Sequence, residues 1–546
     1  MAKENKMNAD VVIIGAGMAG AHLARSLREK GVDVLMLEAG DRRSRGDFLK
    51  IFYENPVKGP QAPYPSIPSA PHPEDNGYAD FYVQDKDTLN ENLFIGAYLR
   101  IFGGTSWHWT GFADRLRPED FRMKSLYGVA EDWPIDYNTV VPYYLTAEKR
   151  WGVAGDPNHV WGAPRDGAPY EMPPIPATFL DKQVTKALEK MGLHSAVFSH
   201  ARNSEIYDNR PVCCGNNTCV PICPIAAKYD ASVDAQKAED EGARVEVNAL
   251  VTFIESDKDG KITRVKVQKP DGSTFWVGGK VFALCGHAIE NPRLLLNSKQ
   301  EYAREGIANS TDNVGRYLLT QANQDTTGLT PDPVFPYRGP QQTSGLVERR
   351  DGEFRSKVAA IGTSFMNNGW SGNSDAINMA HDLIDKGVVG QDLPRQINEQ
   401  VSRHLRLNSS AEVLPDYNNR LELSDQMDTA GIPKPKITFK MDDYTKQGLK
   451  VGLDINLEVF KNMGATEVSH NDPYLSNAII GGTTRMGTNP ETSVVNSDLV
   501  THDHDNLYII GSSAHITMPV NAPSLTIAAL AIRAADHMEK KLAEIP

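Results

Sequence analysis

The chain has 546 residues, of which 40% are hydrophobic and 23% are charged, and its formal net charge is −13. A chain of this length can bury a large core and divide into two or three domains. The acidic balance argues against nucleic-acid binding, because neutralising phosphates requires clustered Lys and Arg. No apolar run of about 18 residues is present, so no membrane-spanning helix is expected.

The first predicted element is a dinucleotide-binding unit near the start of the chain. Residues 10–14 read as a short buried strand, and the glycine turn GAGMAG follows at once. A helical pattern and a second strand ending near Glu38 complete the unit. Gly15 permits the tight turn, Gly17 lets the backbone approach a pyrophosphate, and Gly20 allows close helix packing. Glu38 is expected to accept the ribose hydroxyls of an adenosine.

The glycine motif by itself does not separate FAD from NAD, and a tight turn without a nucleotide is the alternative. Its position at the start of a long chain favours FAD. A second glycine segment, LRIFGGTSWHWTG, can lie against a flavin ring or its phosphates. It offers bare N–H groups and two hydroxyls through Gly103, Gly104, Thr105 and Ser106. His108 fits either a packed histidine between two Trp rings or a contact with the cofactor, including a covalent bond to the flavin.

Four of the five cysteines fall in one loop, CCGNNTCVPICP, as Cys213, Cys214, Cys219 and Cys223. Thiolates this close suit an iron–sulfur cluster, and their spacing differs from the paired C-x2-C of a structural zinc ribbon. Zinc and free or disulfide-bonded thiols are the alternatives, although adjacent Cys213 and Cys214 would pair with strain. A cluster carries single electrons, so a group that gives or takes them is expected elsewhere in the chain.

These motifs together resemble the glucose–methanol–choline (GMC) oxidoreductases. The matching segments are VVIIGAGMAG, GGTSWHW, ALCGHAIENPRLLL, GGTTRMG and HDHDNLYIIGSSAHITMPVNAPSLTIAALAIRAAD. The chain looks most like the bacterial branch with the catalytic subunits of FAD-dependent glucose, sorbitol and fructose dehydrogenases, which shares the cysteine segment. The resemblance implies FAD as cofactor and a 3Fe–4S cluster on Cys214, Cys219 and Cys223, with Cys213 beside them.

The resemblance also implies an α/β fold that is α+β overall. A Rossmann-like FAD-binding domain would carry an inserted substrate domain built on an antiparallel sheet. The FAD-binding domain is expected over residues 1–311, with the cysteine-rich segment at residues 200–230, and again over 474–546. The substrate-binding domain is expected over residues 312–473.

In this family a base removes the hydroxyl proton of the substrate, and His suits that task near neutral pH. Here Ile479 stands where relatives carry the His. The expected replacement is His515, for which a structural histidine bonded to the backbone is the alternative. Asn521 is expected as the second catalytic residue and also as a cofactor contact. The family pattern further places Val251 at the adenine and Gly511 at the last flavin-domain turn.

The predicted function is FAD-dependent oxidation of an alcohol group of a sugar, polyol or glycoside, with electrons leaving through the cluster to an external acceptor. The missing His leaves two alternatives: a flavoenzyme of different reaction type on the same fold, or a non-catalytic flavin or electron-transfer subunit. The branch implies a small accessory subunit and a cytochrome c subunit as partners. The N-terminus, MAKENKMNAD, lacks an apolar signal segment, so cytoplasmic synthesis is expected. Export to the periplasmic membrane face with a partner that bears a twin-arginine signal is compatible with that expectation.

Overall fold

The computed structural model describes residues 7–54, 82–84, 94, 98–159, 161–220, 222–368, 376–472, 474–476 and 479–545. Its α-helices span Met18–Glu29, Arg45–Glu54, Met123–Tyr127, Tyr137–Trp151, Phe179–Glu189, Ser232–Asp240, Glu290–Asn297, Ala376–Asp385, Asp392–Arg403, Asp443–Asn462 and Ser524–Glu544. Short 3-10 helices lie at Gly104–His108, Pro118–Phe121, Glu353–Ser356, Pro490–Thr492 and Ser512–Ala514. Within the described ranges no helix has the length and apolar character needed to cross a membrane.

The strands form two large sheets and one small one. They are β1 Met7–Ile14, β2 Val34–Leu37, β3 Val83–Gln84, β4 Ser195–Val197, β5 Arg244–Glu246, β6 Leu250–Ser256, β7 Ile262–Gln268, β8 Thr274–Leu284, β9 Gln321–Leu329, β10 Ser344–Leu346, β11 Ile361–Phe365, β12 His404–Glu412, β13 Arg420–Met427, β14 Pro433–Thr438, β15 Thr466–His470, β16 Leu475–Ser476 and β17 Leu507–Ile509. The small sheet has the order β13–β14–β3.

The first large sheet is built around the N-terminal strand. Its order is β5–β2–β1–β8–β7–β6, and β17 also pairs with β8. β1 runs parallel to β2 and β8, whereas β7 pairs antiparallel with β6 and β8. Every residue of β2 and the last four of β1 are buried, as in a parallel sheet covered by helices on both faces. The predicted α/β fold with a Rossmann-like unit is confirmed.

The second large sheet is antiparallel, with the order β15–β9–β12–β11–β10–β4 and β16 on β9. In β11 and β12, Ser364 pairs with Asn408 and Gly362 pairs with Ser410. Since strand side chains alternate, these four residues share one face of the sheet. The helix Asp443–Asn462 packs on the opposite face, where Asn456 Nδ2 donates to Ser409 Oγ at 3.1 Å.

The chain enters this second sheet from two separate regions. β4 lies before the predicted boundary at residue 312, whereas β9 to β12 lie after it. The predicted end at residue 473 falls outside the described residues. The domain limits therefore stay predictions.

Candidate active site

A cavity of about 500 Å³ lies between the edge of the first sheet and one face of the second. Ile14, Leu37 and Leu284, the last residues of β1, β2 and β8, line its first end. Ligands of doubly wound sheets bind outside the carboxyl ends of the strands. The fold thus places this cavity where a dinucleotide is expected.

The cavity collects most of the residues that the sequence assigns to FAD. Those that line it are Gly15, Gly17, Glu38, Gly104, Thr105, Ser106, His108, Val251 and Gly511. Gly20, Gly103 and Asn521 are not part of the lining. Gly20 and Gly103 instead allow close packing. A Cβ added to Gly20 would lie 1.9 Å from the Gly15 carbonyl oxygen, and one added to Gly103 would lie 2.8 Å from Trp107 Nε1.

The two glycine segments meet and form a trough of bare backbone. The Gly103 N–H donates to the Ala16 carbonyl at 3.1 Å, and a Cβ on Gly104 would lie 2.8 Å from Gly17 Cα. Gly17 begins the helix Met18–Glu29 without a side-chain cap, so the first N–H groups of the helix lack intrahelical partners. Exposed donors at a helix N-terminus suit a pyrophosphate, and the residues present therefore fit FAD.

The two hydroxyls of the second glycine segment form hydrogen bonds with backbone groups of the protein. Thr105 Oγ1 accepts from the Leu99 N–H at 3.1 Å, and Ser106 Oγ donates to the Gly103 carbonyl at 2.6 Å. Ser106 Oγ also accepts from the Ala231 N–H at 2.8 Å. Thr105 and Ser106 therefore line the cavity with hydroxyls that hold the loop in shape.

Glu38 lies buried at the end of β2. Its Oε2 accepts from the Ala16 N–H and its Oε1 from the Gly40 N–H, both at 2.9 Å. Burial raises the pKa of Glu38 to about 7, although both N–H groups oppose the shift. A carboxylate has further lone pairs, so Glu38 can still accept the ribose hydroxyls.

Among the histidines, both His108 and His287 line the cavity. Nε2 of His108 is buried without a hydrogen-bond partner among the described residues. Burial, followed by the charge of Lys228, lowers the pKa of His108 to about 3. His287 stacks on Tyr98 with ring centroids 4.6 Å apart, and burial lowers the pKa of His287 to about 4. Both imidazoles are therefore neutral at about pH 7.

His287 is a site residue that the sequence reasoning missed. It follows Leu284, the last residue of β8, by three positions. Parallel strands point their carboxyl ends at the ligand. The position of His287 just after a buried parallel strand could therefore have indicated from the sequence that it lies at the ligand site.

The predicted base, His515, is not part of the cavity lining. It is fully buried and packs on Trp133, with ring centroids 5.1 Å apart. Burial lowers the pKa of His515 to about 3. Neither ring nitrogen has a hydrogen-bond partner among the described residues. The catalytic assignment of His515 stays a prediction.

Asn521 is likewise not part of the cavity lining. Its Nδ2 donates to the Arg115 carbonyl at 2.9 Å, while its neighbours Val520 and Ala522 line the cavity. Ile479 lines it too. An alkyl side chain therefore borders the cavity where the resemblance predicts a proton acceptor.

The cysteine loop holds thiols in different environments. Cys219 and Cys223 are buried, Cys213 is half-buried and Cys214 is exposed, and all are free. Burial, followed by the nearby Cys219 and then Cys223, raises the pKa of Cys213 to about 11. In the described part of the chain no three His, Cys, Asp or Glu side chains are placed to hold one metal ion. Cys219 and Cys223 nevertheless lie near enough to Cys213 to act on its pKa.

Lys228 joins the cysteine loop to the cavity wall. Its backbone N–H donates to Cys223 Sγ at 3.5 Å, and its buried ammonium donates to the carbonyls of Trp107 at 2.9 Å and Trp109 at 2.8 Å. Burial lowers the pKa of Lys228 to about 8, while Cys219 is the strongest opposing influence. Because Trp109 lines the cavity, one lysine lies between the buried thiols and the cavity.

The far end of the cavity is lined by small polar side chains of the second sheet. They are Gln321 and the face shared by Gly362, Ser364, Asn408 and Ser410. Ser410 Oγ donates to Asn323 Oδ1 at 2.8 Å, and Asn408 Nδ2 donates to Asp325 Oδ1 at 2.7 Å. These residues form a hydrogen-bonding floor. No local motif marks them, because alternate positions of distant strands meet only in the folded sheet.

Comparisons with known proteins agree with this architecture. A family model for GMC oxidoreductases matches residues 415–531, and one for an FAD binding domain matches residues 8–47. The chain is 37% identical to the fructose dehydrogenase large subunit of Gluconobacter japonicus over 97% of both chains. It is 26% identical to 2-methyl-1,2-propanediol dehydrogenase of Mycolicibacterium austroafricanum, over 98% of this chain and 96% of that one. Pyridoxine 4-oxidase from Mesorbium loti has a similar fold, with a TM-score of 0.64 at 17% identity over 97% of this chain and 99% of that one.

Proposed function

The chain belongs to the GMC oxidoreductase family, and from that premise we propose that it is the FAD-bearing subunit of a dehydrogenase for an alcohol group of a sugar, polyol or glycoside. One observation carries the proposal. A single cavity runs from the dinucleotide-binding turn at Gly17 to the polar sheet face at Ser364 and Asn408. It can therefore hold a flavin and a hydroxylated substrate side by side.

FAD, when bound, supplies the acceptor for a hydride from the alcohol carbon. The trough between Gly17 and Gly104 would hold the pyrophosphate, Glu38 the ribose and Val251 the adenine. His108 would meet the flavin through its unpartnered Nε2, either as a contact or as the point of covalent attachment. The polar floor would orient the substrate hydroxyls and restrict bulk water.

The hydroxyl proton needs an acceptor, and we keep His515 in that role, with Asn521 as the second catalytic residue. The support is the pair of unpartnered ring nitrogens of His515, because an unsatisfied buried polar group costs about 1–3 kcal/mol. A neutral imidazole carries one unprotonated ring nitrogen, and that nitrogen can accept a proton. Stopped-flow measurement of flavin reduction tests both residues. Unchanged rates in both His515→Ala and Asn521→Ala would rule out His515 as the base and Asn521 as its catalytic partner.

We further propose that the cysteine loop holds an iron–sulfur cluster, which would supply one-electron transfer to an external acceptor such as a cytochrome c. A small accessory subunit is the other proposed partner. Cys219 and Cys223 would be ligands, and burial favours Cys213 over the exposed Cys214 as the third. Cys213→Ser should lower bound iron, whereas the matched variant Cys214→Ser should not. The reverse result would return Cys214 to the ligand set.

The decisive experiment adds neutral sugars and polyols to the purified protein without oxygen and follows the flavin absorbance. Bleaching by any of them supports the dehydrogenase. If the protein holds FAD and no sugar or polyol bleaches it, the dehydrogenase proposal is contradicted. That result favours a different reaction type, which is consistent with Ile479 in the cavity wall, since isoleucine cannot accept a proton. Iron analysis and low-temperature EPR of the same sample test the cluster separately.

A further inference from the structure

We propose that Asp114 and Arg350 form a diol anchor, which binds two adjacent hydroxyls of a neutral substrate and so determines specificity. The proposal rests on the proposed function and deepens it. Both side chains line the cavity near the polar floor. Asp114 comes from the segment after the second glycine motif, and Arg350 lies between β10 and β11. No sequence motif connects them.

The two side chains form an ion pair with a fixed geometry. Arg350 Nη1 lies 3.1 Å from Asp114 Oδ2, and the side chains are 9% and 12% exposed. Asp114 Oδ1 accepts from the Ser199 N–H at 3.1 Å. The carboxylate is therefore held by backbone on one side and by the guanidinium on the other.

The pair leaves hydrogen-bonding capacity that the described residues do not use. Arg350 Nε is buried and has no partner among them, although an arginine presents five N–H donors. A Cβ on Gly362 would lie 3.5 Å from this Nε, so the glycine leaves space beside the donor. An unsatisfied buried donor on a cavity wall is the kind of group that a ligand oxygen satisfies.

The chemistry of the pair selects adjacent hydroxyls. Each hydroxyl is both donor and acceptor, so one can donate to the Asp114 carboxylate while its neighbour accepts from Arg350. The pair has no net charge, and a substrate carboxylate would meet a like charge at Asp114. Phe112 and Phe198, with ring centroids 5.0 Å apart, also line the cavity. They supply an apolar wall for the C–H surface of a sugar.

The ion pair of Asp114 and Arg350 could alternatively serve only to hold two parts of the chain together. The following experiment distinguishes this structural role from substrate binding. FAD-loaded Asp114→Asn and Arg350→Gln are compared with Asp498→Asn. Asp498 pairs with Arg533 at 2.7 Å and is not part of the cavity lining, so it is a matched ion-pair control. The probes are D-fructose, sorbitol, methyl glucoside and the anion glucuronate. The readouts are Kd and rate of anaerobic flavin reduction, together with Tm and FAD content.

For the neutral probe that reduces the wild-type flavin, both cavity variants should have a Kd roughly tenfold or more above the wild-type value. Each variant loses a charge-assisted hydrogen bond to the probe. Asp114→Asn should also lower the preference for neutral probes over glucuronate by a similar factor. The control should change neither. Unchanged Kd in both cavity variants, with or without a lower Tm, overturns the anchor and leaves a structural pair.

If Arg350→Gln does not fold, Arg350→Lys takes its place, since it keeps the charge but loses the planar fork. If no probe reduces the wild-type flavin, the dehydrogenase proposal fails, and binding alone decides the anchor. Neutral probes must then raise the Tm of the wild type and not that of Asp114→Asn. No shift in the wild type overturns the anchor as well.

Discussion

Replacing Gly17 with Ala should weaken FAD binding while leaving the fold intact. Gly17 has φ −81° at the start of the helix Met18–Glu29, a value open to any residue. An added Cβ would have Gly104 Cα as its nearest contact, at 3.7 Å, which is an ordinary van der Waals distance. The methyl group would therefore occupy the trough without a clash in the protein itself.

The magnitude follows from the contacts that the trough can make. A hydrogen bond to a charged group contributes about 1.5–3 kcal/mol. If the methyl group displaces one phosphate contact, FAD affinity should fall about ten- to hundredfold, since about 1.4 kcal/mol corresponds to a factor of ten. Replacing glycine by alanine at a helix N-cap should cost the fold about 1 kcal/mol.

Fluorescence titration of the FAD-depleted protein measures the affinity, and circular dichroism measures Tm. Gly20→Ala is the contrasting variant, because its Cβ would lie 1.9 Å from the Gly15 carbonyl oxygen and should lower Tm and FAD content together. Gly46→Ala, exposed in another helix, should change neither. Wild-type FAD affinity in Gly17→Ala would refute the placement of the pyrophosphate in this trough.

Arg355→Met should lower the free energy of unfolding by about 3–5 kcal/mol, because Arg355 Nη2 bridges Asp120 Oδ1 at 3.0 Å and Glu412 Oε2 at 2.7 Å in a buried site. Urea unfolding measures the loss, and a change under about 1 kcal/mol contradicts an energetic role for the bridge. Burial lowers the pKa of Lys228 to about 8. Between this pH and the ordinary lysine pKa, the unfolded chain binds more protons than the folded protein, so stability should rise with pH. Comparing Tm at increasing pH in the wild type and Lys228→Met isolates that rise, and equal pH profiles speak against it. If His108 bonds covalently to the flavin, acid precipitation should retain the flavin in the wild type and release it from His108→Ala; release from the wild type excludes the bond.

Local motifs made the cofactor end of the cavity predictable. Gly15 and Gly17 act through their own backbone conformation, and the spacing within one βαβ unit fixes the position of the Glu38 carboxylate. The second glycine segment was recognisable for the same reason. Its Gly104 lies against Gly17, yet only the folded chain shows that contact.

The catalytic end was harder to predict because its residues belong to separate strands and loops. Ser364 and Asn408 become neighbours only through the register of β11 and β12. Counting along the chain pointed to His515 and Asn521, and both are buried and outside the cavity lining, whereas Ile479 is part of it. A one-dimensional count cannot assign a side chain to the cavity or to the core.

The family, the FAD-binding unit and the clustering of the cysteines are readable from the amino-acid sequence, because each depends on residues close together in the chain. The burial of each thiol, the histidines that line the cavity and the contact between Asp114 and Arg350 appear only in the folded protein. Burial and cross-strand register depend on contacts between distant segments. They follow from how the two sheets pack, and no short stretch of sequence specifies that arrangement.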